Sequence, residues 1–395
     1  FSTFFSHHIS TIEGGIILTN DFEIYNLLLA LRSHGWTRDL LNNFYLKKNQ
    51  TKYENYCFAL PGYNVRTTNL NAAIGLEQMK KLPKNLEFRR HIQERYNKEL
   101  HPTIFAIDNG ITSNKTGRIK KHYLQYLDAN LIRFPFSDLP PQDYIVHLAG
   151  LASPVQYKKY PLETIDVAVD VTRSLLECAL IWRSKLTFFS SSEIYGDPSP
   201  EFVPTPESFR GNVACQGPRA CYDESKRLGE TLCYVFASNY NLHTNIIRPF
   251  NVYGPGMSKH DYRLIPNLMR AAKENQTIKV YGDGKQTRSF CYLDDAIDGS
   301  LECILKGKSG ATYNIGNPTP EISINDLVDC FNQSTKNNVG IEHVPYPTHY
   351  PGDEPMRRCP DISRAIVELH FRPNIPLMKG LIKTWEWSSS NYDNQ

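Results

Sequence analysis

At 395 residues, the chain is long enough to bury the cores of more than one domain, and its 44 Lys and Arg against 41 Asp and Glu leave a formal net charge of only +3. So small an excess sets up no strong field for nucleic acid, and no apolar run is long enough to span a membrane. Nine cysteines, an odd number with no CxxC pair, supply neither a disulfide scaffold nor a zinc framework; with no secretory signal, they point to a reducing cytoplasm.

In chain order, the sequence starts at Phe1 rather than Met, which suggests a start inside a longer reading frame. His7 and His8 are adjacent and so diverge in direction, and no carboxylate or thiol stands at ligand spacing, so no metal is expected. GGIILTN (14–20) is a strand candidate, and the basic run KKLPKNLEFRRH (80–91), with apolar residues at helical spacing, reads as a solvated helix face. TIFAIDN (103–109) is a strand, followed by the polar, basic loop NGITSNKTGRIKKH (109–122). Further strands YIVHLAG (144–150), KLTFFSS (185–191) and TNIIRPFN (244–251) alternate with helical stretches at 161–181 and 224–240. This is the pattern of an α/β fold with a doubly wound parallel sheet.

The chemistry concentrates in GPRACYDESKRLGET (217–231), where Tyr222 and Lys226 stand four apart. On a helix, i and i+4 share a face with Cβ atoms roughly 6 Å apart, so an ammonium can sit beside a phenol and favour the phenolate. A phenol so tuned can act as a base near neutral pH. LTFFSSSEIYGDP (186–198) ends a strand in hydroxyls and a carboxylate, where an open α/β sheet presents catalytic groups. NIIRPFNVYGPG (245–256) runs into a Gly/Pro turn, and IKVYGDGKQTRSFCYLDDA (278–296) carries Gln286 and Arg288 on a glycine-flanked loop.

With HLAGLASPVQY (147–157) and RRCPDI (357–362), these motifs resemble, in family order from about residue 103 to 390, the extended short-chain dehydrogenase/reductases acting on nucleotide sugars. Within that family they are most similar to the UDP-glucuronate decarboxylases. The resemblance implies a Rossmann-like domain with a smaller C-terminal substrate lobe, NAD as cofactor, a nucleotide sugar as substrate, and a homodimer formed through the helix bearing Tyr222 and its predecessor. It implies that Tyr222, Lys226 and Ser191 exchange the proton of the sugar 4-hydroxyl. Related 4,6-dehydratases carry an Asp-Glu pair where this chain has Ser192 and Glu193, so their dehydrating acid is missing. Glu193 and Arg358 match positions that handle the C5 carboxylate in decarboxylases. Substrate contacts implied in the same way are Asn251, Arg263, Asn267, Tyr281, Gln286 and Arg288, the last two at the diphosphate. Cofactor contacts are Asp108, which favours NAD over NADP, Asn109, Asp138, Leu148 and Ala149, together with Tyr222 and Lys226.

One departure is large. No GxGxxG or GxxGxxG precedes Asp108, so the first strand, its phosphate-binding turn and its helix, roughly 30 residues, are missing. In the 3-2-1-4-5-6 order that strand is central, so its two neighbours are expected to lose their shared partner unless residues 14–20 fill the gap. What stands in its place, residues 1–102, resembles the sugar aminotransferase/dehydrase family of PLP enzymes through FSTFFSHHISTIEGGIILTND (1–21), LRSHGW (31–36) and LPGYNVRTTNLNAAIGLEQMKKL (60–82). His7 matches the lysine that forms the PLP Schiff base in most members, and Asn64 a residue reaching a neighbouring subunit's cofactor. A histidine forms no aldimine and the preceding pocket is lacking, so PLP activity is not expected. The division is thus 1–102 and 103–395. Three readings stay open: an NAD-dependent decarboxylase or another epimerase/dehydratase of the same family, a catalytically impaired fusion of two fragments, and a PLP-type 3-dehydrase.

Overall fold

A computed structural model describes residues 19–32, 40, 104–346 except 109–123, and 355–394. His7, His8, Asn64, Asn109, residues 14–18 of the strand candidate, the basic run 80–91 and the loop 109–122 lie outside the described residues. Contacts divide the chain into two compact units, Phe1–Thr103 and Ile104–Gln395. In the first unit Asp21 caps helix α1 (Phe22–Leu31) by accepting a hydrogen bond from the Ile24 amide at 2.9 Å.

The second unit opens with β1 (Ile104–Asp108) and β2 (Leu124–Asp128), which pair in parallel from Ile104 opposite Leu124 to Asp108 opposite Asp128. Next come β3 (Tyr144–His147), the short helices α2 (Pro154–Lys159) and α3 (Pro161–Asp166), and α4 (Thr172–Trp182). A π-turn over Val167–Val171 joins α3 to α4, and the Val167 carbonyl accepts a hydrogen bond from His147 Nε2 at 3.1 Å. Strand β4 (Lys185–Phe189), the long α5 (Ala220–Tyr240) and β5 (Thr244–Pro249) complete the pattern expected from the sequence.

The remaining elements form a C-terminal lobe and the last flank of the sheet. They are β6 (Val252–Tyr253), α6 (Leu264–Glu274), β7 (Ile278–Tyr281), β8 (Thr287–Ser289), β9 (Cys291–Tyr292), α7 (Leu293–Lys306), β10 (Thr312–Ile315), β11 (Glu321–Ser323), α8 (Ile324–Thr335), β12 (Ile341–Val344), β13 (Arg357–Arg358), α9 (Ser363–Leu369) and α10 (Leu377–Asn391). A core of Leu268, Met269, Val280, Leu327, Phe331 and Leu381 holds that lobe together.

The main sheet runs β10-β5-β4-β3, all parallel, and β1-β2 stands as a separate two-stranded sheet. This is the gap expected from the missing first βα unit: among the described residues no strand lies between β1 and β3. Both pieces nevertheless share a core, since Ile107 of β1 and Ile145 of β3 pack on one cluster with Phe136, Leu176, Leu186 and Phe188. Apolar burial needs only contact, whereas a ladder needs a strand at the right spacing.

Candidate functional site

The carboxyl ends of β3, β4 and β5 meet the amino-terminal half of α5. Helix α5 presents Tyr222 and Lys226 on one face, both buried, at 5 % and 3 % exposure. Tyr222 stacks on Tyr157 of α2, ring centroids 5.4 Å apart, which fixes the plane of the phenol. Lys226 Nζ donates to the Phe189 carbonyl at the end of β4 at 2.7 Å and lies 4.8 Å above the Phe188 ring. On the other side a Cβ at Gly150, in the turn after β3, would come within 3.2 Å of that Nζ, a close approach to which the end of the lysine would have to yield by a few tenths of an ångström.

The expected lowering of the phenol by the ammonium is corrected by this geometry. Burial pushes Tyr222 up to about 12, against the Ser191 hydroxyl hydrogen bond that pulls it down. Lys226 gives one of its three protons to a backbone carbonyl, and burial brings its ammonium down to about 8. In the ligand-free site Tyr222 is therefore a proton donor.

Beside the phenol, Ser191 begins the turn Ser192–Tyr195 and accepts from the Glu193 amide at 3.2 Å. Glu193 receives a bidentate contact from Arg358, at 2.5 and 2.7 Å, and a further bond from Arg219. Arg358 sits on β13 directly opposite Arg288 on β8. Burial would raise the Glu193 carboxyl, but Arg358, Arg219 and Arg288 together outweigh it and hold the group below the usual carboxylate range. Ser192 is buried and carries no ionisable acid.

The other expected residues stand on separate elements of the fold. Arg263 caps α6, pairs with Asp261 at 2.5 Å, and its charge bears on Tyr222. Asn267, one turn later on α6, donates to the Tyr262 carbonyl at 2.7 Å. Asn251, at a positive φ of 40°, reaches the Ser289 carbonyl at 2.8 Å and so ties the end of β5 to β8. Tyr281 stacks on Tyr346, and Gln286 donates to the Tyr281 carbonyl at 3.3 Å. Asp108 ends β1, Asp138 is exposed in a one-turn helix, Ala149 is partly buried and Leu148 is 63 % exposed. Among the described residues no group of three His, Cys, Asp or Glu could hold a metal ion.

Arg219, Asp223, Tyr157 and His147 are members of the site that the motifs did not single out. Arg219 carried a signal, standing three residues before Tyr222 and hence on the same helical face. Its partner Glu193 lies 26 residues away, which no local spacing reveals.

Residues 90–316 match the NAD dependent epimerase/dehydratase family, and residues 1–123 match the DegT/DnrJ/EryC1/StrS aminotransferase family. The chain is 33% identical over 294 residues to UDP-glucuronic acid decarboxylase 1 of Danio rerio, covering 74% of this chain and 68% of that protein. It is 35% identical over 280 residues to UDP-glucuronic acid decarboxylase 3 of Arabidopsis thaliana, covering 70% and 79%. Among solved structures it resembles the UDP-glucuronic acid 4-epimerase of Bacillus cereus in complex with UDP-glucuronic acid and NAD, at 25% identity and TM-score 0.65, over 76% of this chain and 95% of that one. The UDP-glucose 4-epimerase of Thermotoga maritima shares the fold at 22% identity and TM-score 0.65, over 75% and 94%. Strand order, the Tyr222–Lys226 helix and the extent of these matches agree, and the chain belongs to the NAD dependent epimerase/dehydratase family.

Proposed function

We propose that the chain removes the C5 carboxylate of UDP-glucuronate, giving UDP-xylose through a 4-keto intermediate, with NAD as cofactor. The observation that carries this reading is Glu193 clasped by Arg358 and Arg219 beside the Ser191–Tyr222 pair. A plain 4-epimerase needs no such cationic cluster at the carboxylate end, and with Ser192 in place of an acid a dehydratase lacks its proton donor.

The residues present fit one half of the cofactor. Tyr222, Lys226 and Ala149 would hold the nicotinamide ribose, with Leu148 beside it, and Asp108 and Asp138 would serve the adenosine end, where Asn109 lies outside the described residues. The pyrophosphate between those ends has no glycine-rich turn among the described residues of the second unit. When bound, the dinucleotide would accept and return a hydride at C4. Tyr222 exchanges the proton of the 4-hydroxyl oxygen. Once C4 is a ketone, the C5–C6 bond breaks, carbon dioxide leaves, and the electron pair passes into the C4 oxygen. The protonated Tyr222 and Ser191 hydroxyls donate to that oxygen, which is where charge develops. Arg358 orients the departing carboxylate, Arg288 and Gln286 hold the diphosphate, and water supplies the proton to C5.

The split sheet favours a second reading, a chain that binds nucleotide sugar but is impaired in turnover, with 1–102 a fragment of a PLP enzyme and 103–395 the sugar-nucleotide domain. The pairing of subunits also belongs to the proposal. Ile165, Leu228 and Tyr234, 38, 47 and 64 % exposed on α3 and α5, border a groove of about 720 Å³ suited to a second copy. Incubating the full chain with UDP-glucuronate and NAD, and following released carbon dioxide and UDP-xylose, tests the main reading. Folded protein with no product, and no NAD binding at millimolar concentration by calorimetry, sinks it and leaves the second.

A further inference from the structure

We propose that Arg219 is a positioning residue for Glu193, sharing its carboxylate with Arg358 and braced from behind by Asp223. The inference rests on the reading that Glu193 serves the carboxylate end of the substrate. Four side chains form a continuous line. Arg358 holds both oxygens of Glu193; Arg219 Nη2 donates to Oε2; and Arg219 Nε faces Asp223 Oδ2 at 3.5 Å. Arg358 comes from β13, Glu193 from the turn after β4, Arg219 from the N-cap of α5 and Asp223 from its first turn. The line therefore ties the position of Glu193 to the helix that carries Tyr222.

A guanidinium suits the middle place because its fork offers Nη to one carboxylate and Nε to another at once, which an ammonium cannot do in fixed geometry. Asp223 adjoins Tyr222 in sequence, is 6 % exposed, and leaves its Oδ1 without a hydrogen-bond partner. Asp223 also lines a void of about 20 Å³, shared with Gly217 and Arg219, large enough for one water. Burial first, then the charge of Glu193, push the Asp223 carboxyl up to about 7, against Arg219 and Arg358. The brace is consequently proton-linked: ionised Asp223 draws on Arg219 and repels Glu193, and protonated Asp223 leaves Arg219 to Glu193. The charged groups that act on Asp223 are Glu193, Arg219 and Arg358, and the titratable Tyr222 and Cys221 beside it on α5 feel its charge in turn.

The test compares the full-length wild type with R219Q, R219K and the near-isosteric D223N, each checked for folding by thermal melting. In the absence of ligand, carbon-13 carboxyl NMR follows the titration of Glu193, assigned with E193Q. The midpoint is expected to rise by about 1–2 pH units in R219Q, because a charged hydrogen bond is lost. With UDP-glucuronate and NAD, kcat is expected to fall about 10²-fold in R219Q with KM little changed, since the effect is a misplacement of a group already present. R219K restores part of the loss, and D223N removes the wild-type inflection near pH 7. A Glu193 midpoint unmoved in R219Q overturns the brace, and a shifted midpoint with unchanged kcat overturns its positioning role. If the wild type makes no UDP-xylose, the proposed function fails, and the NMR titration still decides whether Arg219 holds Glu193.

Discussion

Gly229 stands in the interior of α5, three residues after Lys226, where a glycine costs about 1 kcal/mol of helix stability relative to alanine. Its presence is explained by a close approach. A Cβ there would lie 2.6 Å from Phe188 Cζ and 2.9 Å from the Ala168 carbonyl oxygen. The ring can turn, but the carbonyl belongs to the π-turn and already accepts from Thr172 Oγ1 at 2.7 Å. Ordinary contacts need about 3.5 Å or more, so α5 must retreat from the π-turn by roughly 0.6 Å. Overpacking of this kind costs about 1–3 kcal/mol, and the fixed backbone oxygen places Gly229→Ala at the upper end. After the helix-propensity gain, about 2 kcal/mol of destabilisation remains. The expected fall in melting temperature is roughly 4–8 °C. Because Phe188 underlies the Lys226 ammonium, UDP-glucuronate turnover should fall further than stability does. Scanning calorimetry on the two proteins checks the first effect. A melting temperature equal to or above that of the wild type would refute the contact.

Three other outcomes follow from the same geometry. Tyr222→Phe keeps the ring stacked on Tyr157 but removes the proton, so turnover should fall roughly 10²–10⁴-fold while calorimetric binding of UDP-glucuronate stays close to wild type; unchanged turnover removes Tyr222 from the reaction. Burial holds the Lys226 ammonium at about 8, below the free value, so the unfolded chain binds more protons above that pH. Stability should accordingly rise from about pH 8 to about 10.4 by up to 1.4 kcal/mol per unit, and urea midpoints of Lys226→Met should lack the rise; parallel curves would count against the burial. His147 is held down to about 3 by burial and by the Lys226 charge, so its stabilising contribution is complete above about pH 6.5 and is lost as the pH falls towards 3. In His147→Phe that acid-side loss should be smaller, by denaturant titration at several pH values, and an identical loss would show that His147 is not the titrating group.

Much of the architecture was legible because strands and helices announce themselves locally. The apolar runs ending in Asp108, His147 and Phe189 became parallel strands, and the spacing of Tyr222 and Lys226 put both on one face of α5, as a period of 3.6 residues requires. Absence was legible too: without a glycine turn before Asp108, the break between β1 and β3 was expected from the chain alone. Tertiary structure decided the electrostatics. That Lys226 would serve the Phe189 carbonyl, that the Tyr222 phenol would rise, and that Arg219 would join Arg358, 165 residues distant from Glu193, on a single carboxylate depend on burial depth and on the β8–β13 register. Those quantities arise only when distant segments share one low-dielectric space, and no spacing along the chain encodes them.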